Sequence, residues 1–418
     1  MLLLFALVAA ACGDDDDTDA TGTDDASEDT GSGDDAAADG DDGAAGACDE
    51  GDPVKAGGIF SLSGPAADIG ILAEHGAEMA AEDINAAGGI LGRCLEVTLR
   101  DDESDPTQGS QVARELVDQE EVDFLVGPFL SSIIAAVLEV TGPAETLHVV
   151  AGVLPDAGDA AQFPFVFRTE VVATLQGVTF VEYMEANGWT TAGVLAVNNA
   201  LGTASNDAFV ASAEGTGIEI VATEFHESGV VDLTPQVRTL QDAEPDVLLL
   251  FNTAGPDQVA AIEARNALGW EVPVLGFSSL GNTSVSEALG PENMADVFAG
   301  QAYRLINREE EGGELVGAAA QDFLARYKEY LGEDPLTVNV QQASGIYDSF
   351  LMMAEAINAV GDLDPDGVQA YLEENGYDGV KATYEFDAER HDGVGLDDLV
   401  FVQAGTFSDG ALILAPNQ

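Results

Sequence analysis

From residue 55 onward the chain alternates between short apolar runs and longer segments with helical spacing, and few folds accept that pattern. The runs Gly58–Leu62, Leu95–Arg100, Asp123–Gly127 and His148–Ala151 read as strands. Between them Asp68–Ala87, Thr107–Glu120 and Ser131–Glu145 read as helices. The cycle resumes with helix Val172–Asn187, strand Ala192–Val197, helix Ala204–Glu214, strand Ile218–Phe225 and helix Thr234–Ala243. Strand Asp246–Phe251, helix Pro256–Leu268 and strand Val272–Phe277 complete the second series. Such alternation predicts βαβ units, that is, parallel sheets covered by helices. Val247-Leu248-Leu249-Leu250-Phe251 is apolar throughout, as burial on both faces requires. Two successive series predict an α/β protein of two doubly wound lobes. No Gly-rich dinucleotide fingerprint follows a strand, which argues against a Rossmann dehydrogenase. Beyond Met294–Tyr303 the chain predicts two long helices, Glu314–Leu331 and Gln341–Val360, and a shorter one at Pro365–Asn375. Ala382–Phe386, Leu399–Gln403 and Thr406–Leu412 then read as short antiparallel strands.

The first 52 residues follow other rules. Leu2 to Ala11 is apolar and stops at Cys12, the length of a signal-peptide core rather than of a membrane span. Leu7-Val8-Ala9-Ala10-Ala11-Cys12 resembles a bacterial lipobox, in which the cysteine is lipidated and becomes the mature N-terminus. Residues 13–52 hold 17 acids, no Lys or Arg, and no Val, Ile, Leu, Met or aromatic residue. Such a segment cannot bury enough apolar surface to offset its ordering entropy, so it is expected to be a disordered acidic linker. The whole chain carries a formal charge of −64, of which −47 remains on residues 53–418. That balance excludes a nucleic-acid partner, which needs a basic footprint. It equally excludes docking on anionic lipid through protein charge, leaving the lipid on Cys12 as the membrane contact. Of the other two cysteines, Cys48 precedes the first predicted strand and Cys94 the second. Neighbouring parallel strands would bring them within reach of a disulfide in an exported protein; two free thiols are the alternative.

Several motifs together are similar to the branched-chain amino acid type of solute-binding protein, which has the type I periplasmic-binding fold and feeds ABC importers. They are Phe60-Ser61-Leu62-Ser63-Gly64-Pro65, Asp83-Ile84-Asn85-Ala86-Ala87-Gly88-Gly89, Asp101-Asp102-Glu103-Ser104-Asp105-Pro106, Val126-Gly127-Pro128-Phe129-Leu130-Ser131-Ser132, and Gly345-Ile346-Tyr347-Asp348 leading into Ala354-Glu355-Ala356. The resemblance covers about residues 55–415. It implies a first lobe of 53–168 plus 301–380 and a second of 169–300 plus 381–418, joined by a hinge of three crossings. It further implies a monomer that closes on a small molecule and delivers it to a permease outside the cytoplasm, with no catalysis, cofactor or metal. Ser63, Gly64, Ser131, Ser132, Ala151 and Gly152 are then expected around the ligand's polar end. Leu201, Ala254 and Ser278 are expected on the opposite lobe.

This chain departs from the amino-acid-binding pattern where the ligand would sit. Leu201 and Ala254 stand at positions usually aromatic, and Phe277-Ser278-Ser279 carries no acid where one would meet an ammonium. The turn Ala151-Gly152-Val153-Leu154 lacks a hydroxyl. A buried ammonium without a carboxylate is costly. The ligand is therefore expected to be a small carboxylate, an amide or an amino-acid-like compound, with Asp257 or Glu287 as alternative sources of charge. A sensor subunit on the same fold, a structural surface lipoprotein and an α/β enzyme remain open. Asp362-Leu363-Asp364-Pro365-Asp366-Gly367 with Glu373 satisfies a calcium-loop pattern, but the same stretch is a polar turn before a helix. His75, His148, His226 and His391 show no paired metal spacing, and His148 reads as structural.

Overall fold

In the first sheet the strands are parallel and run in the order β2-β1-β3-β4-β5. They are β1 (Asp49–Phe60), β2 (Arg93–Asp101), β3 (Phe124–Val126), β4 (Leu147–Val150) and β5 (Val166–Arg168). The computed structural model describes residues 48–305, 318–332, 340–408 and 411–417. Cys12 and most of the acidic stretch lie outside these. Helices α1 (Ala67–Ala86), α2 (Pro106–Arg114) and α3 (Ser131–Thr141) connect the strands. Each has a local cause. Gly88 and Gly89 take φ of 104° and 80° to end α1, and a Cβ on Gly89 would lie 2.0 Å from the Arg93 carbonyl. Asp105 caps α2, accepting from the amides of Thr107 and Gln108 at 2.8 and 3.0 Å, with Pro106 in the first turn. Glu115–Gln119 continues α2 as a wider turn instead of the single helix expected to Glu120.

Two differences from expectation arise here. The linker was expected to reach residue 52, yet β1 begins at Asp49, paired with Arg93. Cys48 and Cys94 form a disulfide with Cα atoms 4.9 Å apart. This tether, rather than burial, holds the exposed residues 49–52 in the strand. The three-residue β5 was not expected, because it is short and ends in Arg168.

The second series builds a seven-stranded sheet. It contains α4 (Ala173–Asn187), β6 (Thr191–Val197), α5 (Ala200–Ala213), β7 (Glu219–His226), α6 (Thr234–Asp242), β8 (Val247–Phe251), α7 (Gly255–Ala267), β9 (Val274–Gly276), α8 (Thr283–Leu289) and β10 (Val297–Ala302). Then come α9 (Ala318–Leu331), α10 (Gln341–Val360), α11 (Pro365–Asn375), β11 (Tyr377–Asp378), β12 (Thr383–Tyr384), β13 (Leu399–Ser408) and β14 (Ala411–Leu414). The order is β14-β13-β10-β9-β8-β6-β7. Strands β6 to β10 pair in parallel, while β13 and β14 join antiparallel at the edge. All five residues of β8 are buried, as its unbroken apolar run requires.

The chain crosses between lobes three times. The first crossing follows Arg168 and the second follows Ala302. The third falls later than the expected break at 380/381. Ala382, Tyr384, Phe386 and Val394 lie in the first lobe's core with Ile346, Phe350 and Met353 of α10, and only at Leu399 does the chain enter the second sheet. The reason is that 390–393 lies along β5: Arg168 donates its amide to His391 and accepts one from Gly393. The calcium-loop pattern is a helix start, in which Asp364 caps α11 by accepting from the Gly367 amide at 3.1 Å.

Candidate functional site

The carboxyl ends of both sheets face each other across a cleft, the usual ligand position in open α/β sheets. The cleft encloses about 460 Å³ including its open mouth. From the first lobe it is lined by Ile69, Phe129, Leu130, Ser131, Ala151, Gly152, Val153 and Gln342. Gln176, Leu201, Thr253, Phe277, Ser278 and Ser279 line it from the second lobe, with Glu170 at the first crossing. Ser131, Ala151, Gly152, Leu201 and Ser278, all expected at the site, therefore meet here.

Other expected residues do not line it. Ser63 and Gly64 are exposed and turned towards a neighbouring loop. The Ser63 amide donates to Asp101 at 3.2 Å, and its carbonyl accepts from Ser104 Oγ at 2.9 Å. Ser132 is half-buried in the first turn of α3, outside the lining. Ala254 starts α7 beside Thr253, which does line the cleft. Asp257, an alternative source of charge, is buried away from the lining and bonds the Gly229 amide at 2.7 Å and Ser228 Oγ at 3.1 Å.

The polar groups of the cleft have unequal partners. Ser131 begins α3 and is 1% exposed, and its Oγ has no hydrogen-bond partner. Leu130 offers that helix no side-chain cap. Gly152 brings the chain so close that a Cβ would lie 2.1 Å from the Phe129 carbonyl. Glu170, unforeseen from the sequence, supplies an acid, but its Oε2 accepts from Lys381 Nζ at 2.7 Å and its Oε1 from the Val171 amide at 2.9 Å. Gln342, 4% exposed, donates to Ser278 Oγ at 3.2 Å across the cleft while its Oε1 is unpartnered. Gln176 Oε1 is likewise unpartnered. The acid at the expected first crossing was the one signal that could have pointed to Glu170.

Several motif residues serve the scaffold instead. Asp348 accepts from the amides of Val380 and Lys381 and from Tyr384 Oη, at 2.8 to 2.9 Å. Burial outweighs these bonds and pushes its carboxyl up to about 6. Tyr347 Oη donates to Asp83 at 2.8 Å, which ties two motifs together. His148 contacts the Gly127 carbonyl and Thr141 Oγ1, and burial pushes it down to about 4.

A second bridge between lobes lies at Asp68 in α1, whose Oδ2 accepts from Ser284 Oγ of α8 at 3.0 Å. Burial raises the Asp68 carboxyl above its ordinary 3.8 despite the opposing bond from Ser284. In an opened protein this carboxyl returns to water, so the closed form binds the proton more tightly. Closure should therefore become easier as pH falls through the raised value, levelling off below the ordinary one. The ligand-free protein is expected to show a smaller radius of gyration by X-ray scattering near pH 4 than at pH 7, and Asp68→Asn to remove that difference. An unchanged difference in the variant would show that the effect lies elsewhere.

Two doubly wound lobes, three crossings and an interlobe cleft define a type I periplasmic-binding fold. The chain belongs to the periplasmic binding protein family, which it matches over residues 53–411. It is 25% identical over 344 residues to the leucine-, isoleucine-, valine-, threonine- and alanine-binding protein of Pseudomonas aeruginosa, covering 80% of this chain and 86% of that one. A periplasmic binding protein type 1 from Bordetella pertussis superposes with a TM-score of 0.78 at 25% identity, covering 87% of this chain and all of that one. The branched-chain amino acid substrate-binding protein LivJ of Streptococcus pneumoniae, solved with isoleucine, gives 0.73 at 22% identity, covering 87% and 99%. The chain is thus an extracytoplasmic solute-binding protein of the Leu/Ile/Val-binding type. Among the described residues no helix is long and apolar enough to cross a membrane.

Proposed function

We propose that this protein is the monomeric, lipid-anchored substrate-binding subunit of an ABC importer, and that it captures a small monocarboxylate with a compact apolar body. One observation carries the ligand reading: Ser131 Oγ is buried and unpartnered at the start of α3, facing a cleft walled by Val153, Leu201 and Phe277. A helix N-terminus with an unsatisfied hydroxyl favours an anion. Among the described residues of the lining the one acidic side chain, Glu170, is already paired with Lys381. A ligand ammonium would have to share Glu170 with a buried lysine, which opposes it by like-charge repulsion. This separates the chain from the amino-acid-binding reading suggested by the name of its Pseudomonas relative.

Thermal shift with matched pairs tests it. Isovalerate should stabilise the protein at lower concentration than valine, since a ligand that binds only the folded form raises its melting temperature. Ser131→Ala should weaken isovalerate binding about tenfold, the loss of one hydrogen bond to a charged group. Preferential stabilisation by valine would overturn the monocarboxylate reading.

A further inference from the structure

The cleft leaves more than Ser131 unsatisfied. Gln342 Oε1 is buried and without a partner, although its Nε2 is engaged by Ser278. Gln176 Oε1, on the facing lobe, is unpartnered as well. Buried carbonyl oxygens are seldom left unpaired, and each unmade bond costs about 1–3 kcal/mol. A bare aliphatic carboxylate would satisfy Ser131 and leave both amide oxygens dry. A donor is needed, and the charge balance limits its kind. Glu170, the acid among the described lining residues, is already paired with Lys381 at 2.7 Å, so a cationic donor there would meet a buried ammonium. An uncharged N–H meets both conditions.

We infer that the ligand carries an amide or lactam N–H in addition to its carboxylate, and that Gln342, supported by Gln176, recognises it. N-acylated amino acids and cyclic lactam acids are the class that fits. This rests on the monocarboxylate reading above and narrows it. Gln342 is then a specificity-determining residue: a site built around a buried acceptor discriminates against an analogue that cannot donate to it.

The experiment is isothermal titration of the whole protein with two matched sets. One set is N-acetylvaline, valine and isovalerate; the other is pyroglutamate, proline and cyclopentanecarboxylate. Within each set the acyl or lactam compound should bind at least tenfold tighter than the carboxylate lacking nitrogen, with the amino acid weakest. In Gln342→Leu the ratio of amide to plain carboxylate should fall towards one. Gln176→Leu, on a half-buried position, should narrow it in the same direction and guards against a Gln342 variant that does not fold. Equal binding of amide and plain carboxylate would overturn this inference while leaving the monocarboxylate reading standing. Tightest binding by the amino acids, or binding by none, would overturn both. An unchanged ratio in both glutamine variants would remove their assigned role.

Discussion

Replacing Arg168 with Met is expected to destabilise the protein by about 3–5 kcal/mol and to weaken ligand binding at least tenfold. The guanidinium is fully buried and spends its donors on three acceptors in two distant segments. Its Nε donates to Asp392 at 2.8 Å, its Nη1 to the Gly152 carbonyl at 2.6 Å, and its Nη2 to the Leu154 carbonyl. A methionine of similar length fills the space but strips the Gly152 carbonyl of its guanidinium partner, leaves the Leu154 carbonyl only the Ala157 amide, and breaks one charge pair. Those carbonyls flank Val153, so the cleft wall loosens where Gly152 and Val153 face the ligand. Lysine should not rescue, because it lacks the planar fork that serves three acceptors. Urea unfolding measures the first effect and titration with isovalerate the second. A variant with wild-type stability and only weakened binding would show that Arg168 matters for the cleft alone.

Loss of the Cys48–Cys94 disulfide should cost a similar amount. The two residues are 46 apart in sequence, and closing a loop of that size in the unfolded chain corresponds to roughly 4 kcal/mol on the chain-entropy account. For a protein of this size that is roughly a 5 °C drop in melting temperature. The expected comparison is between the wild type and the Cys48→Ala, Cys94→Ala double variant in the absence of reductant, followed by both in its presence, where they should converge. Equal midpoints without reductant would mean that residues 48–52 fray independently and that the bridge restrains only them.

Much of this fold was legible because parallel strands covered on both faces must be apolar. Val247–Phe251 and Phe124–Val126 announce themselves by that rule, and Asp105-Pro106 announces the helix it caps. What escaped was held by something other than apolar burial. Residues 49–52 are polar and exposed, and a covalent tether keeps them in line. The strand Val166–Arg168 ends in a charge that only a distant Asp392 makes tolerable. The same contact carries residues 390–394 into the first lobe, beyond the boundary expected from the motifs. In the cleft, residues on turns after strands could be placed by counting strands, and so Ser131, Gly152 and Ser278 converge there. Glu170 and Gln342 reach it from a crossing and from a long helix, and their partners lie far off in sequence. Conversely, Ser63 and Gly64 sit in a hydroxyl-bearing turn that looked like a ligand loop. Asp101 and Ser104 bind that turn outward.

The late third crossing bears on the order in which the molecule can be made. The first lobe begins at β1, but its core also takes Ile346, Phe350, Met353, Tyr384 and Val394. The second sheet in turn lacks its antiparallel edge until β13 and β14 are complete at Leu414. A nascent chain emerging from its N-terminus thus has no stretch that can finish either lobe before nearly all of it has been synthesised. Partial chains ending before α10 would expose the apolar faces of β1, β3 and β4, so this protein depends on being kept unfolded, or shielded, until its last segment is available.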